Sequence, residues 1–173
     1  MQFKETTLDS QLIYQGKILN LKKDKVELNN GKRSIREYVE HTGGSAVYCE
    51  VDGKVLLVKQ FRYPYKKELY EIPAGKVNEG EDPKETAIRE LEEEAGLIAT
   101  KIEKMFDIYP TPAYTTEVIR IYHALEVKQG KVNLDQDEVL SAHWFTQDQI
   151  KQMIANGEIC DAKTLIALLK MIK

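Results

Sequence analysis

The segment Asp82–Gly96 (DPKETAIRELEEEAG) carries its own start and stop signals and constrains the fold more than any other stretch. Asp82 can cap a helix, Pro83 suits its first position, and Glu85 stands where a capping box needs it. Gly96 supplies the stop. The spacing predicts a helix over 83–95. At about 100° per residue, Ala87, Ile88, Leu91 and Ala95 share one face, which needs an apolar sheet to pack on. Glu90, Glu93 and Glu94 share another side, away from that core face, with Arg89 at helical reach of both Glu85 and Glu93. Like charges side by side repel one another and contribute nothing to folding. A hard divalent cation resolves the conflict, because Mg²⁺ prefers oxygen ligands.

The flanking sequence supplies the sheet. Leu12–Tyr14, Lys25–Leu28 and Ser34–His41 read as strands, with a turn signal at Asn29-Asn30-Gly31. Ala46–Val51 and Lys54–Lys59 flank Asp52-Gly53, a strong hairpin signal. Leu69–Ile72 is a short strand stopped by Pro73, and Ala74–Glu81 reads as a loop. Glu117–Val127 and Ala142–Phe145 are further β-type runs, with Trp144, beside Phe145, expected in the core. Gln147–Ala155 and Lys163–Ile172 have helical periodicity. The order of strands, helix, strands, helices implies a mixed α/β or α+β domain with helices packed on a sheet.

Composition narrows the function. A chain of 173 residues with 42% hydrophobic side chains suits one domain with a real core. Its 25 basic and 28 acidic residues, net −3, argue against a nucleic-acid partner. From Glu79 to Glu94, however, eight acidic and two basic residues leave a local charge of −6, so the remainder sums to +3. Cys49 and Cys160 have no metal-ligand spacing, and His41, His123 and His143 have none either. No apolar run approaches the ~20 residues needed to span a bilayer. The first residues lack the apolar segment of a signal peptide, so a cytoplasmic protein with no membrane partner is expected.

The segment Gly75–Leu97 resembles the Nudix box, Gly-x5-Glu-x7-Arg-Glu-aliphatic-x-Glu-Glu-x-Gly-aliphatic. Gly75, Glu81, Arg89, Glu90, Leu91, Glu93, Glu94, Gly96 and Leu97 match it without departure. The resemblance implies a Nudix hydrolase. Its fold would be α/β (α+β), a mixed β-sheet sandwiched between helices, with a small N-terminal β extension. It implies Mg²⁺, with Mn²⁺ as the alternative, held by Glu90, Glu94 and the carbonyl of Ala74. Glu93 would be a third ligand or hold the metal's water. Arg89 would hold the glutamates in place, with Glu81 in support.

Residues outside the box resemble the ADP-ribose pyrophosphatase subfamily. Glu71-Ile72-Pro73-Ala74-Gly75 is similar to its E-x-P-A-G lead-in. Pro112, fifteen residues after Leu97, is similar to its downstream proline, although Thr111-Pro112-Ala113 leading to Glu117 replaces the usual flanks. Leu134–Glu138 is similar to its acidic loop, with Glu138 as metal ligand or general base and Asp135 and Asp137 as weaker candidates. Arg62 would contact the diphosphate, since a planar guanidinium matches phosphate oxygens. Tyr109 and Tyr114 could line a nucleobase pocket or simply pack. The implied substrate-binding set is Arg62, Glu71, Pro112 and Glu117; the implied catalytic set is Glu138, Glu93 and Arg89. The implied boundaries are 1–40 for an extension that forms a swapped homodimer and 41–173 for the hydrolase domain. The reaction implied is Mg²⁺-dependent hydrolysis of ADP-ribose, a nucleoside diphosphate sugar, to AMP and ribose 5-phosphate. The rivals are another nucleotide sugar such as GDP-mannose, or a catalytically silent ADP-ribose-binding regulator. The intact box counts against the silent reading.

Overall fold

The structure, a computed structural model, describes residues 3–134, 136 and 138–172, so the candidates Asp135 and Asp137 lie outside the described residues. It contains two compact units. One is the chain up to Gly43 together with Thr111–Glu117; the other is Gly44–Pro110 together with the chain from Val118 onward.

The first unit is an antiparallel sheet in the order β1(Glu5–Gln15), β2(Asn20–Leu28), β3(Arg33–Glu40). Gly31, at φ 74°, takes the left-handed conformation that the tight β2–β3 turn needs. The segment Thr111–Glu117 lies along β3, where Val39 N–H donates to Tyr114 O at 2.8 Å and Thr116 N–H to Val39 O at 2.9 Å. β1 is exposed along its whole length, Leu8, Leu12, Ile13 and Tyr14 included.

The second unit is built on a mixed sheet in the order β10(Leu140–Thr146), β5(Lys54–Arg62), β4(Gly44–Val51), β9(Ile119–Gln129), β8(Leu97–Ile108). β6(Lys67–Glu71) pairs with β5, and β7(Ala74–Lys76) with β4. The β4–β9 pair is parallel; the other pairs are antiparallel. The β4–β5 turn is Asp52-Gly53, both with positive φ (50° and 73°), the geometry whose twist matches a two-residue hairpin.

Side chains alternate across this sheet. Ala46, Tyr48, Val55, Leu57 and Ile121 face α2(Gln147–Ala155) and α3(Ala162–Met171), meeting Ile150, Met153, Ala167 and Leu168. Val47, Cys49, Leu56, Tyr122 and Ala124 face α1(Pro83–Ala95), meeting Ala87 and Leu91. Helices therefore cover both faces, as the sequence implies. Both Ala87 and Leu91 are fully buried, which fixes the orientation of α1 about its axis. The Ser45 hydroxyl on β4 donates to the Pro83 carbonyl at 2.6 Å and fixes where the helix begins.

Three expectations need correction. Residues 97–108 form a strand that the sequence pattern does not announce, and 74–76 are a strand rather than loop. Trp144 is 39% exposed, because adjacent residues on β10 face opposite ways and Phe145 takes the core side.

Candidate functional site

α1 begins as its sequence suggests, with one difference. Asp82 accepts from the N–H of Lys84 at 2.8 Å rather than from that of Glu85. The reciprocal capping box occurs instead on α2, between Thr146 and Gln149. Arg89 likewise engages Glu81 rather than Glu85, through Nε at 3.0 Å. Its Nη1 reaches Glu90 at 2.8 Å and Glu93 at 2.6 Å. One guanidinium thus ties the loop before the helix to two carboxylates on it.

The acidic side of α1 is not a solvated face. Glu90 is 7% and Glu94 4% exposed, because the β7 strand lies over them. The Ala74 N–H donates to Glu94 Oε2 at 3.1 Å. A side chain at Gly75 would overlap the Glu90 carboxylate, so glycine is required for this close approach. Helix periodicity places the glutamates on one side correctly, but the strand that buries them comes from elsewhere in the chain.

Burial raises the Glu94 carboxyl to about 8, with the charges of Glu90 and Glu138 adding to the shift. Burial also raises Glu90 to about 7; Arg89 opposes this, while Glu93 and Glu138 reinforce it. Glu138, half-buried, therefore lies close enough to act on both. The chain leading to it is tied to the end of α1. There, Gly130 N–H donates to Gly96 O at 2.8 Å and Asn133 N–H to Glu93 O at 3.0 Å.

Among the described residues, no three His, Cys, Asp or Glu side chains converge as a preassembled metal cluster. The donor chemistry nevertheless fits a hard divalent cation. The donors are carboxylate oxygens, two are buried against their own repulsion, and a cation would relieve the strain that burial imposes. Glu90 and Glu94 are the best placed to hold it.

Arg62 and Glu71 meet at the junction of β5 and β6. Arg62 Nε donates to Glu71 Oε1 at 2.6 Å and Nη2 to Oε2 at 2.7 Å. Burial alone would raise the Glu71 carboxyl, but the Arg62 hydrogen bond and the charges of Lys163 and Arg62 outweigh it and hold it at about 2. Sequence reasoning missed Lys163, which is buried at the start of α3 and hydrogen-bonded to Glu71. A lysine in the first turn of a helix opposes the helix dipole, and that was the available signal.

Pro112 and Glu117 belong to the first unit. Pro112 and Tyr114 help line a groove of about 310 Å³ with Asp24, Arg36 and Tyr38. Glu117 lies 3.7 Å from His41 Nδ1. Tyr109, in the second unit, is 66% exposed.

The model of the NUDIX domain matches residues 40–168. The chain belongs to the Nudix family. Residues 5–39 match a second model, the nucleoside diphosphate sugar hydrolase N-terminal domain. An ADP-ribose pyrophosphatase of Bacillus subtilis is 40% identical over 95% of this chain and 91% of its own length. A methanol dehydrogenase activator of Bacillus methanolicus is also 40% identical, over 96% of this chain and 91% of its own. A crystal structure of an ADP compounds hydrolase superposes with a TM-score of 0.84 at 20% identity, covering 96% of this chain and 91% of that one. That likeness supports the Nudix fold.

Proposed function

We propose that this Nudix protein hydrolyses the diphosphate of ADP-ribose to AMP and ribose 5-phosphate, using Mg²⁺. The observation that carries the reading is the buried Glu90–Glu94 pair beneath Gly75, two acids that the fold holds together against their own repulsion. The 40% identity to an ADP-ribose pyrophosphatase over most of both chains supports the choice of substrate.

When bound, a divalent cation neutralises diphosphate charge and makes a water more acidic. The chain's own residues do the rest. Glu90 and Glu94, with the Ala74 carbonyl, hold the cation. Arg89 orients Glu90 and Glu93 through one nitrogen. Arg62 donates to the diphosphate oxygens, and Glu71 fixes the plane of its guanidinium. Glu138 takes the proton of the attacking water; the water oxygen bonds to one phosphorus as the bridging P–O bond opposite it breaks, and the leaving phosphate takes the electron pair.

Residues 1–40 act as a dimerisation element and residues 41–173 as the hydrolase domain, and the active form is a homodimer. The exposed apolar side chains along β1 support this. The protein works in the cytoplasm without a nucleic-acid or membrane partner. Its acidic balance and the absence, among the described residues, of a helix long and apolar enough to cross a membrane are consistent with that.

The test is a panel of nucleoside diphosphate compounds, including ADP-ribose and GDP-mannose, incubated with Mg²⁺ and resolved by chromatography. Preferred cleavage of ADP-ribose to AMP and ribose 5-phosphate is expected. A flat response, or a preference for GDP-mannose, would overturn the substrate assignment.

A further inference from the structure

Lys163 is placed where local physics opposes it twice. It is the second residue of α3, where a cation faces the positive end of the helix dipole. It is also only 8% exposed, although lysines are seldom buried unless paired. The reason for its position must lie in what it touches. Its ammonium donates to Glu71 Oε2 and, at 3.1 Å, to Asp161 Oδ2.

Glu71 is therefore shared. Arg62 takes both of its oxygens through Nε and Nη2, and Lys163 takes Oε2 as well. Asp161 is occupied by its own helix. Its Oδ2 accepts from the Thr164 N–H at 3.0 Å and the Thr164 hydroxyl at 2.6 Å. Thr164 Oγ1 in turn accepts from the Ile72 N–H at 2.9 Å. The first turn of α3 thus fastens both the side chain of Glu71 and the backbone that follows it. That backbone leads directly to Ala74, whose N–H binds Glu94.

The contacts show what Lys163 adds. Arg62, Lys163, Glu71 and Asp161 carry two charges of each sign, so the cluster is balanced as a whole. Lys163, itself held by Asp161, grips Oε2 of Glu71 and so fixes the carboxylate plane against which the Arg62 guanidinium lies. Nε and one N–H of Nη2 serve Glu71, which leaves the two N–H groups of Nη1 and the second of Nη2 as a donor edge for phosphate oxygens. We propose that Lys163 is a positioning residue for substrate binding, which acts through Glu71 to hold the Arg62 guanidinium with its remaining edge turned to the diphosphate. This rests on the reading above, in which Arg62 binds that diphosphate.

The experiment compares wild type with Lys163→Met, Lys163→Arg, Arg62→Gln and the double variant Lys163→Met/Arg62→Gln. Each is checked for its thermal midpoint and assayed for ADP-ribose hydrolysis with Mg²⁺. Lys163→Met should raise KM about tenfold with kcat within about twofold, the size expected when one charge-assisted contact is weakened. Lys163→Arg should recover part of that loss. In the Arg62→Gln background, Lys163→Met should raise KM no further, because both act on one contact. A purely structural role would lower kcat through loss of active protein, leave KM unchanged, and repeat its effect without Arg62; that result would overturn the proposal. If Lys163→Met does not fold, Lys163→Gln carries the same comparison. Wild-type protein inactive on every compound of the panel would overturn the underlying functional reading. An active wild type whose KM is indifferent to residue 163 would overturn this proposal alone.

Discussion

At Glu94 folding and chemistry pull in opposite directions. The fold prefers this buried acid protonated; the proposed reaction needs it as a carboxylate. Substituting Glu94→Gln keeps the shape and removes the charge. Turnover should fall on the order of a thousandfold, as when a group facing developing charge is removed. The thermal midpoint in a chelator at pH 8.5 should not fall, since an uncompensated buried anion has gone. Gly75→Ala should separate the same two effects. The overlap is with the far end of a flexible glutamate, so the fold can yield at a cost of about 1 kcal/mol or less, while Glu90 is displaced from its place. Denaturant unfolding and Mg²⁺-dependent turnover, measured together, would show a small loss in the first and a large one in the second.

The same residues set a pH dependence. In the folded protein Glu90 and Glu94 titrate at about 7 and about 8, against 4.5 for an ordinary glutamate. Their pKa values are raised, so the stability they contribute is present in full below pH 4.5 and is lost as pH rises through 7 and 8. Glu71 works the other way. It is held at about 2, so its contribution is present above 4.5 and is lost as pH falls towards 2. Thermal midpoints in EDTA should therefore decline from pH 4.5 to about pH 8 and level off above it, and added Mg²⁺ should narrow that decline because cation binding favours the ionised acids. A flat profile in EDTA would contradict the burial of these acids.

Among the elements, α1 was legible because every local signal agreed: cap, first-turn proline, apolar stripe and glycine stop. Asp82→Ala should cost about 1 kcal/mol in denaturant unfolding, the usual worth of an N-cap. The Asp52-Gly53 hairpin was legible for the same reason, since its two positive φ angles suit those residue types. β8 was not. It starts directly after Gly96, and register shifts at Ala99/Lys101, Lys101/Ile102 and Lys104/Phe106 break its alternation. At the site, the sequence placed the glutamates on one side of α1 but could not show their burial. That depends on β7, a three-residue strand whose pairing with β4 spans 28 to 32 positions. The Arg62–Glu71–Lys163 cluster was hidden for the same reason, because Lys163 is 92 residues from Glu71. Contacts of that range leave no periodic trace.

At the scale of the whole molecule, the exposed side chains of β1 bear on assembly. β1 presents Leu8, Leu12, Ile13 and Tyr14 on a sheet that buries little of its own apolar surface. Sedimentation equilibrium should give about twice the 19.9 kDa chain mass, and Leu12→Lys/Tyr14→Lys should shift it towards the monomer. A wild-type monomer at micromolar concentration would remove the dimerisation role from residues 1–40. The distribution of charge also makes sense at this scale. The acidic concentration is confined to 79–94, leaving +3 elsewhere to tolerate an anionic substrate. The buried carboxylates of α1 are proposed to support cation-dependent cleavage of a diphosphate, and ADP-ribose turnover by wild type and Glu94→Gln while Mg²⁺ is titrated against EDTA tests this. AMP and ribose 5-phosphate should form with wild type only when Mg²⁺ exceeds the chelator, and almost none with Glu94→Gln at any Mg²⁺ concentration. Full activity in EDTA, or in Glu94→Gln, would mean that these carboxylates do not hold the cation.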